Sequence, residues 1–383
     1  MCIMSALGLA QVIEHCKQQG TLRATPRQWQ VLNHICDCRT SAMGATLYRC
    51  DACHSQWLWY HSCRDRHCPQ CQTNASRAWC EKQKEQLLPV PYFHLVFTLP
   101  HELNDWVTYH ADVIYRLLFQ SCWKTLHVMG QRKLQGQLGM TAVLHTWGQQ
   151  LTRHVHLHCL IPSGVITPSQ SWKSRHRRYL LPVKALSRRF RGLMVSALRE
   201  TKQKGELSSI GANDFDRTLT QLMSKPWCVY SKAAIQYRET LVNYLARYSH
   251  RIGLSNHRLL ESTPNQVTLA YHDYRSEKNG RLLLTPEELI RRFLLHILPK
   301  GFMRIRHYGF LANAIKRRCL LLIREQLGRD INVTGDKEKQ VASSNHAHCP
   351  SCGHEPVTCL GECTSESMIT LRNELSLALL NSS

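Results

Sequence analysis

The sequence predicts an α+β fold with a mainly antiparallel sheet, flanked by helices and preceded by a small cysteine-rich module. Three observations lead there. Segments of period-two apolar patterning come in neighbouring pairs, above all 141–147 and 151–162, parted by Gly148-Gln-Gln150 and its flank as in an antiparallel hairpin. Segments with helical periodicity lie between the strands, as expected when helices and sheet build one core. Cysteine pairs crowd residues 38–71. A chain of 383 residues with 43% hydrophobic content can hold two or three domains.

Residues 1–90 read as a first unit. Helical patterning covers 7–17 and 29–36. The opening residues are mildly apolar but lack a basic start and a cleavage site, so they read as an amphipathic helix and not a signal peptide. A strand-poor stretch follows, holding Cys50-x-x-Cys53 and Cys68-x-x-Cys71. Together the two knuckles can deliver four thiolates to one tetrahedral Zn²⁺, each pair wrapping one edge of the ion. Cys38, Cys63 and His67 are further candidates that could complete a second site or replace one ligand. Trp57, Trp59 and Tyr60 either stack on bases or form the module's small core.

The second unit, 91–327, opens with a short buried strand at 92–100, closed by Pro100. A helix over 106–134 precedes the hairpin. Helices at 183–204 and 236–250, a strand at 267–271, and a helix at 285–298 opened by Pro286-Glu287-Glu288 complete it. Residues 328–383 are a polar linker and a tail. The tail carries one knuckle, Cys349-Pro-Ser-Cys352-Gly-His354, with Cys359 and Cys363 as candidate partners, about half a conventional site. The 18 cysteines, with no export signal, argue for metal ligands and free thiols in a reducing cytoplasm. No apolar run reaches membrane-spanning length.

The most informative segment is His154-Val-His156-Leu-His158. Alternate side chains of a strand share a face, so the three imidazoles line one side while Val155, Leu157 and Cys159 pack inward. Imidazoles two residues apart can hold a divalent ion together. Further on, Tyr244 and Tyr248 sit four apart on a predicted helix, one turn apart on one face. A tyrosine oxygen can attack a phosphodiester and become covalently joined to it. Its pKa of about 10 makes it sluggish at neutral pH unless a metal ion stabilises the developing charge.

Forty-nine Lys and Arg against 27 Asp and Glu leave a formal charge of +22, which attracts polyanions. The excess clusters at Arg175, Arg177, Arg178, Arg188 and Arg189, again at Arg304 and Arg306, and at Lys316, Arg317 and Arg318. Membrane attachment could draw on the same charge, but no amphipathic anchor or lipidation motif accompanies it.

These residues resemble a family. Ser62-Cys-Arg-Asp-Arg-His-Cys-Pro-Gln-Cys-Gln72, His94-Leu-Val-Phe-Thr-Leu-Pro-His-Glu102, His156-Leu-His158, Tyr244-Leu-Ala-Arg-Tyr248 with His250-Arg251, and Leu298-Pro-Lys-Gly-Phe-Met-Arg-Ile-Arg-His-Tyr-Gly309 occur in the order found in rolling-circle insertion-sequence transposases. Those are the paired-tyrosine branch of the HUH endonucleases. The resemblance runs from about Cys38 to Asn313 and implies a zinc-binding DNA-recognition domain at 1–90 ahead of an HUH nuclease domain at 91–327. It implies that His156 and His158 hold Mg²⁺ or Mn²⁺, with His154, His94 or His145 as third ligand, and that Tyr244 and Tyr248 are the nucleophiles. It further implies cleavage of single-stranded DNA to a 5′-phosphotyrosine and a free 3′-hydroxyl, rejoined without ATP. Arg251 joins the basic clusters as a candidate DNA contact, and no obligatory protein partner is implied.

Two other readings share part of the pattern. A replication initiator or relaxase would use the same chemistry, but the cysteine module and the 298–309 block favour a transposase. A non-catalytic zinc-dependent DNA-binding protein would account for charge and cysteines and leave the histidines and tyrosines without a purpose. A zinc deaminase is excluded, because no His-x-Glu precedes a Pro-Cys-x-x-Cys.

Overall fold

The computed structural model describes residues 8–175, 179–235, 253–273, 277–328, 348–355 and 357–364. Tyr244, Tyr248, Arg251, Arg177 and Arg178, with the helix expected at 236–250 and most of the linker, lie outside the described residues.

Helix α1 (Leu9–Gln18) buries Leu9, Val12, Ile13 and Cys16, the spacing of one helix face. Helix α2 (Pro26–Asp37) starts at Thr25, whose hydroxyl accepts from the Gln28 N–H while the Gln28 side chain accepts from the Thr25 N–H. This reciprocal cap and Pro26 in the first turn fix where the helix begins. The stretch expected to be poor in strands instead folds as a hairpin of β1 (Ala45–Cys50) and β2 (Gln56–Tyr60). The turn-forming Cys50–Ser55 segment separates the strands, and the β-forming Thr46-Leu-Tyr and Trp57-Leu-Trp-Tyr runs decide the outcome. Helix α3 (Pro69–Gln86) follows.

Next come β3 (Tyr92–Thr98), α4 (Asn104–Leu134), β4 (Gly139–Trp147) and β5 (Arg153–Pro162). A small hairpin of β6 (Gly164–Ile166) and β7 (Trp172–Ser174) precedes α5 (Val183–Gln203), α6 (Ala212–Ser224) and β8 (Val229–Ile235). A meander of β9 (Leu259–Ser262), β10 (Val267–Asp273) and β11 (Lys278–Leu284) leads to α7 (Pro286–Leu294), β12 (Ile305–Gly309) and α8 (Lys316–Gln326). The last described strand is β13 (Val357–Cys363).

The chain divides into two compact units, residues 1–73 with 332–383, and residues 74–331. The sequence-based boundaries at 90/91 and 327/328 therefore differ from this division, and the tail is not a piece of its own. A tail this short cannot bury a core. Instead β13 pairs antiparallel with β1, from Ala45 opposite Cys363 to Cys50 opposite Val357, giving a sheet ordered β13-β1-β2.

In the larger unit a five-stranded antiparallel sheet has the order β12-β4-β5-β3-β8. One face is apolar. Phe93, Leu95 and Phe97 of β3 and Val155, Leu157, Cys159 and Ile161 of β5 pack against Leu118 and Cys122 of α4 and Phe190 and Met194 of α5. Each such buried side chain contributes about 1.5–3 kcal/mol, which makes this face the structural base of the unit. Gly309 ends β12 at φ +61°, so near Leu138 that a Cβ would run into its carbonyl oxygen. Glycine alone fits there. Among the described residues no helix is long and apolar enough to cross a membrane.

Candidate metal centre and zinc module

The second face of that sheet carries the histidines. His156 lies opposite His145 of β4 and Thr98 of β3, and His158 lies opposite Val143 and Val96. His145, His156 and His158 each offer one ring nitrogen, all within 4.8 Å of one another. His154 shares the face but is outside this group, its ring centroid 4.9 Å from that of His156. The reason is geometric. Residues 154 and 158 are four steps of about 3.3 Å apart along the strand, whereas a directly opposed pair has Cβ atoms only about 5 Å apart. The cross-strand neighbour His145 therefore completes the group.

The surroundings fix which nitrogens face the ion site. His156 Nδ1 donates to the His154 carbonyl oxygen at 2.8 Å, which leaves Nε2 with its lone pair. His158 Nδ1 lies 2.9 Å from His94 Nε2, in a stacked pair of rings. With His158 Nδ1 as donor, its Nε2 keeps a lone pair that could face a metal ion, and His94, outside the group of three, is placed to orient that ring. Trp147 stacks on His145 with centroids 4.8 Å apart. Burial pushes His156 down to about 4, His94 to about 3 and His158 well below the usual imidazole range. The lowered values favour the neutral form of these rings, the form in which an imidazole can ligate a metal.

Exposure falls along the strand: His154 is exposed, His156 half-buried and His158 buried. Access is therefore from the His154 end. At the opposite end the face is closed by Cys80 of α3 and Leu87 just past its end, packed with Tyr92, Leu160 and Ile235. On the edge strand β8, Tyr230 lies opposite Val96 and Lys232 opposite His94, both exposed on the histidine face. Sequence reasoning missed these two. Only the short alternation of Val229-Tyr-Ser-Lys could have pointed to them.

The expected basic residues sit elsewhere. Arg188 and Arg189 belong to α5, whose Phe190 packs edge-on against Phe97 on the apolar face. Arg306 also points to that side, its guanidinium 4.3 Å from the Phe119 ring centroid and 5.0 Å from that of Phe302. It borders an open pocket of about 510 Å³ shared with Lys300 and Asn313. Arg175 donates to the Leu134 carbonyl at 2.8 Å, tying a loop to the end of α4. The Arg304 backbone carbonyl accepts from Leu144 N–H at 3.0 Å.

In the smaller unit Cys38, Cys63, Cys68 and Cys71 form one cluster. Cys71 Sγ lies 3.6 Å from both Cys38 Sγ and Cys63 Sγ. Hydrogen bonds from Cys38, Cys63 and Cys68 hold the Cys71 thiol well below its usual range. Cys50 and Cys53 are not in this cluster, which corrects the pairing of the two knuckles around one ion. Cys38 and Cys63 take the places assigned to them, because the turn after α2 and the arm before α3 deliver two single thiols. His67 is no ligand. Its Nδ1 lies 2.9 Å from Asp65 Oδ1, while His34 Nδ1 of α2 lies 3.0 Å from Asp65 Oδ2. Burial alone would raise the Asp65 carboxyl, but bonds from His67 and His34 keep it well below the usual range. This clamp ties α2 to the arm. Trp57 stacks on Tyr48 at 5.9 Å, and Trp59 and Tyr60 remain 40% and 39% exposed.

Comparison with known proteins matches both halves of this description. The family model described as "Transposase zinc-binding domain" matches residues 9–99, and that described as "Putative transposase" matches residues 139–319. A protein of Sinorhizobium fredii described as "Putative transposase y4qJ" is 36% identical over 359 residues, covering 88% of this chain and 90% of its own. The transposase for insertion sequence element IS801 of Pseudomonas savastanoi pv. phaseolicola is 29% identical over 332 residues, covering 82% of this chain and 77% of its own. No solved structure matches the chain. The zinc-type thiol cluster within 9–99, four of the five strands of the antiparallel sheet within 139–319 and the near full-length relatives agree: this chain belongs to the insertion-sequence transposases of the IS91/IS801 type.

Proposed function

We propose that this transposase nicks and rejoins single-stranded DNA through a 5′-phosphotyrosine intermediate, driving rolling-circle transposition of its element. The observation that carries the reading is the group of three imidazoles on one sheet face, each with a ring nitrogen within reach of one ion and open at the His154 end. His145, His156 and His158 would hold Mg²⁺ or Mn²⁺; the all-nitrogen donor set favours Mn²⁺, since Mg²⁺ prefers oxygen. When bound, the ion polarises the scissile phosphate and stabilises charge on its oxygens. His94 keeps the His158 ring oriented for that task.

The phenolic oxygen of Tyr244 or Tyr248 attacks phosphorus and loses its proton. The bond from phosphorus to the 3′ oxygen breaks, and that oxygen leaves as a hydroxyl after taking up a proton. Rejoining is the reverse, with a 3′-hydroxyl attacking and the tyrosine leaving. A second tyrosine allows a second strand to be cut while the first remains attached. The test is to incubate full-length protein with labelled single-stranded DNA from the element's end and Mn²⁺ or Mg²⁺. A denaturation-resistant adduct is expected, absent from the Tyr244→Phe, Tyr248→Phe double variant. Folded, zinc-loaded protein that forms no adduct with either ion would overturn the proposal.

Single-stranded DNA is the partner this reading requires, and Lys232 and Tyr230 are positioned to meet it at the open face. Lys232→Ala should weaken binding and reduce the slope of log affinity against log salt by about 0.7, the value for one phosphate contact on a single strand. Titrations at several salt concentrations check this, and an unchanged slope would remove Lys232 from the interface.

A further inference from the structure

We infer that Cys50, Cys53, Cys349 and Cys352 form a second structural zinc site, assembled from knuckles 296 residues apart in the chain. Cys50 Sγ lies 3.6 Å from Cys352 Sγ, and Cys53 Sγ lies 3.5 Å from Cys349 Sγ. Four sulfurs at a Zn–S distance of about 2.3 Å stand about 3.8 Å apart along each tetrahedral edge. The thiols are therefore already near coordination spacing. The other cluster has four cysteines of its own, so neither site needs to borrow a ligand.

The two knuckles are built alike. In the first, Cys50 N–H donates to the Ser55 carbonyl at 2.9 Å and His54 N–H to the Cys50 carbonyl at 3.0 Å. In the second, Cys349 N–H donates to the His354 carbonyl at 3.2 Å and Gly353 N–H to the Cys349 carbonyl at 2.8 Å. The residue after each second cysteine is left-handed, His54 at φ +59° and Gly353 at φ +72°. Glycine takes that conformation freely, whereas histidine is strained in it. The same turn, kept at a strained residue, aims both thiols of each pair at one point.

The sheet brings the turns together. β1 ends at Cys50 and β13 begins just past Cys352, with Cys50 opposite Val357. Thr358 Oγ1 donates to Asp51 Oδ1 at 2.6 Å, pinning one knuckle to the neighbouring strand. Ser55 Oγ lies 3.0 Å from Cys53 Sγ and 3.3 Å from Cys349 Sγ, where its one hydrogen can be donated to a bound thiolate of either knuckle. The family match for the zinc-binding domain ends at residue 99 and so contains only half of this site.

The test is metal stoichiometry on the full-length protein, purified under reducing conditions. Two zinc ions per chain are expected, falling to one in Cys352→Ser. Titration of the metal-free wild type with Co²⁺ should carry the sulfur-to-metal charge-transfer band to saturation at two equivalents, a reading independent of whether the variant folds. Wild-type protein that binds one ion per chain would overturn the inference. So would a Cys352→Ser variant that retains two, or a wild-type intact mass showing Cys50 and Cys53 disulfide-bonded to the tail knuckle.

Discussion

His156→Ala should reduce single-strand cleavage by about 10³-fold or more, because several kcal/mol of metal-supplied stabilisation are lost at about 1.36 kcal/mol per decade. The fold should survive the change. His156 projects from the face opposite the apolar base, and its removal leaves the packing of Val155 and Leu157 untouched. Single-turnover cleavage with Mn²⁺, beside thermal unfolding of the same preparation, separates the two effects. Cleavage within a few fold of wild type would show that the imidazole group is not the reaction centre. A collapse in stability would instead make His156 a structural residue. His94→Ala tests the neighbouring role: it should weaken Mn²⁺ affinity by about 10–100-fold, the usual effect of losing the partner that orients a ligand.

Cys68→Ser should cost zinc and the fold of the smaller unit together. Structural Zn²⁺ in small modules binds with about 10–16 kcal/mol at neutral pH, comparable to the whole stability of a typical domain, about 5–15 kcal/mol. The cluster joins Cys38 at the end of α2, Cys63 in the arm and the first turn of α3, so its loss unties all three. Amide exchange in α1 and α2 is the direct readout, with metal content measured alongside. Unchanged zinc and unchanged protection would remove Cys68 from the cluster.

What the sequence disclosed follows from the range over which each interaction acts. The histidine strand was legible because period-two alternation is local, and so was the hairpin, set by the few residues at Gly148-Gln-Gln150. Strand β12 was not, since Ile305-Arg-His-Tyr is short and alternates basic with mixed residues. The third imidazole was open among His94, His145 and His154, because only the register of β4 on β5 sets His145 against His156. The cysteines show the same limit more sharply. Each knuckle can be recognised from its own four residues, but which thiols share a cluster depends on where α3 and β13 return. The basic residues show a further limit, because net charge says nothing of direction: Arg306 spends its guanidinium on two phenyl rings on the sheet's far side.

The pairing of β13 with β1 imposes an order on synthesis. A ribosome adding about 5–20 residues per second makes the partner of β1 on the order of tens of seconds after β1 has emerged. The edge of that strand must wait unpaired while the whole larger unit is made. A chain broken off anywhere before residue 357 has its β1–β2 hairpin without the third strand. Completion of the amino-terminal module thereby reports that translation has passed β13.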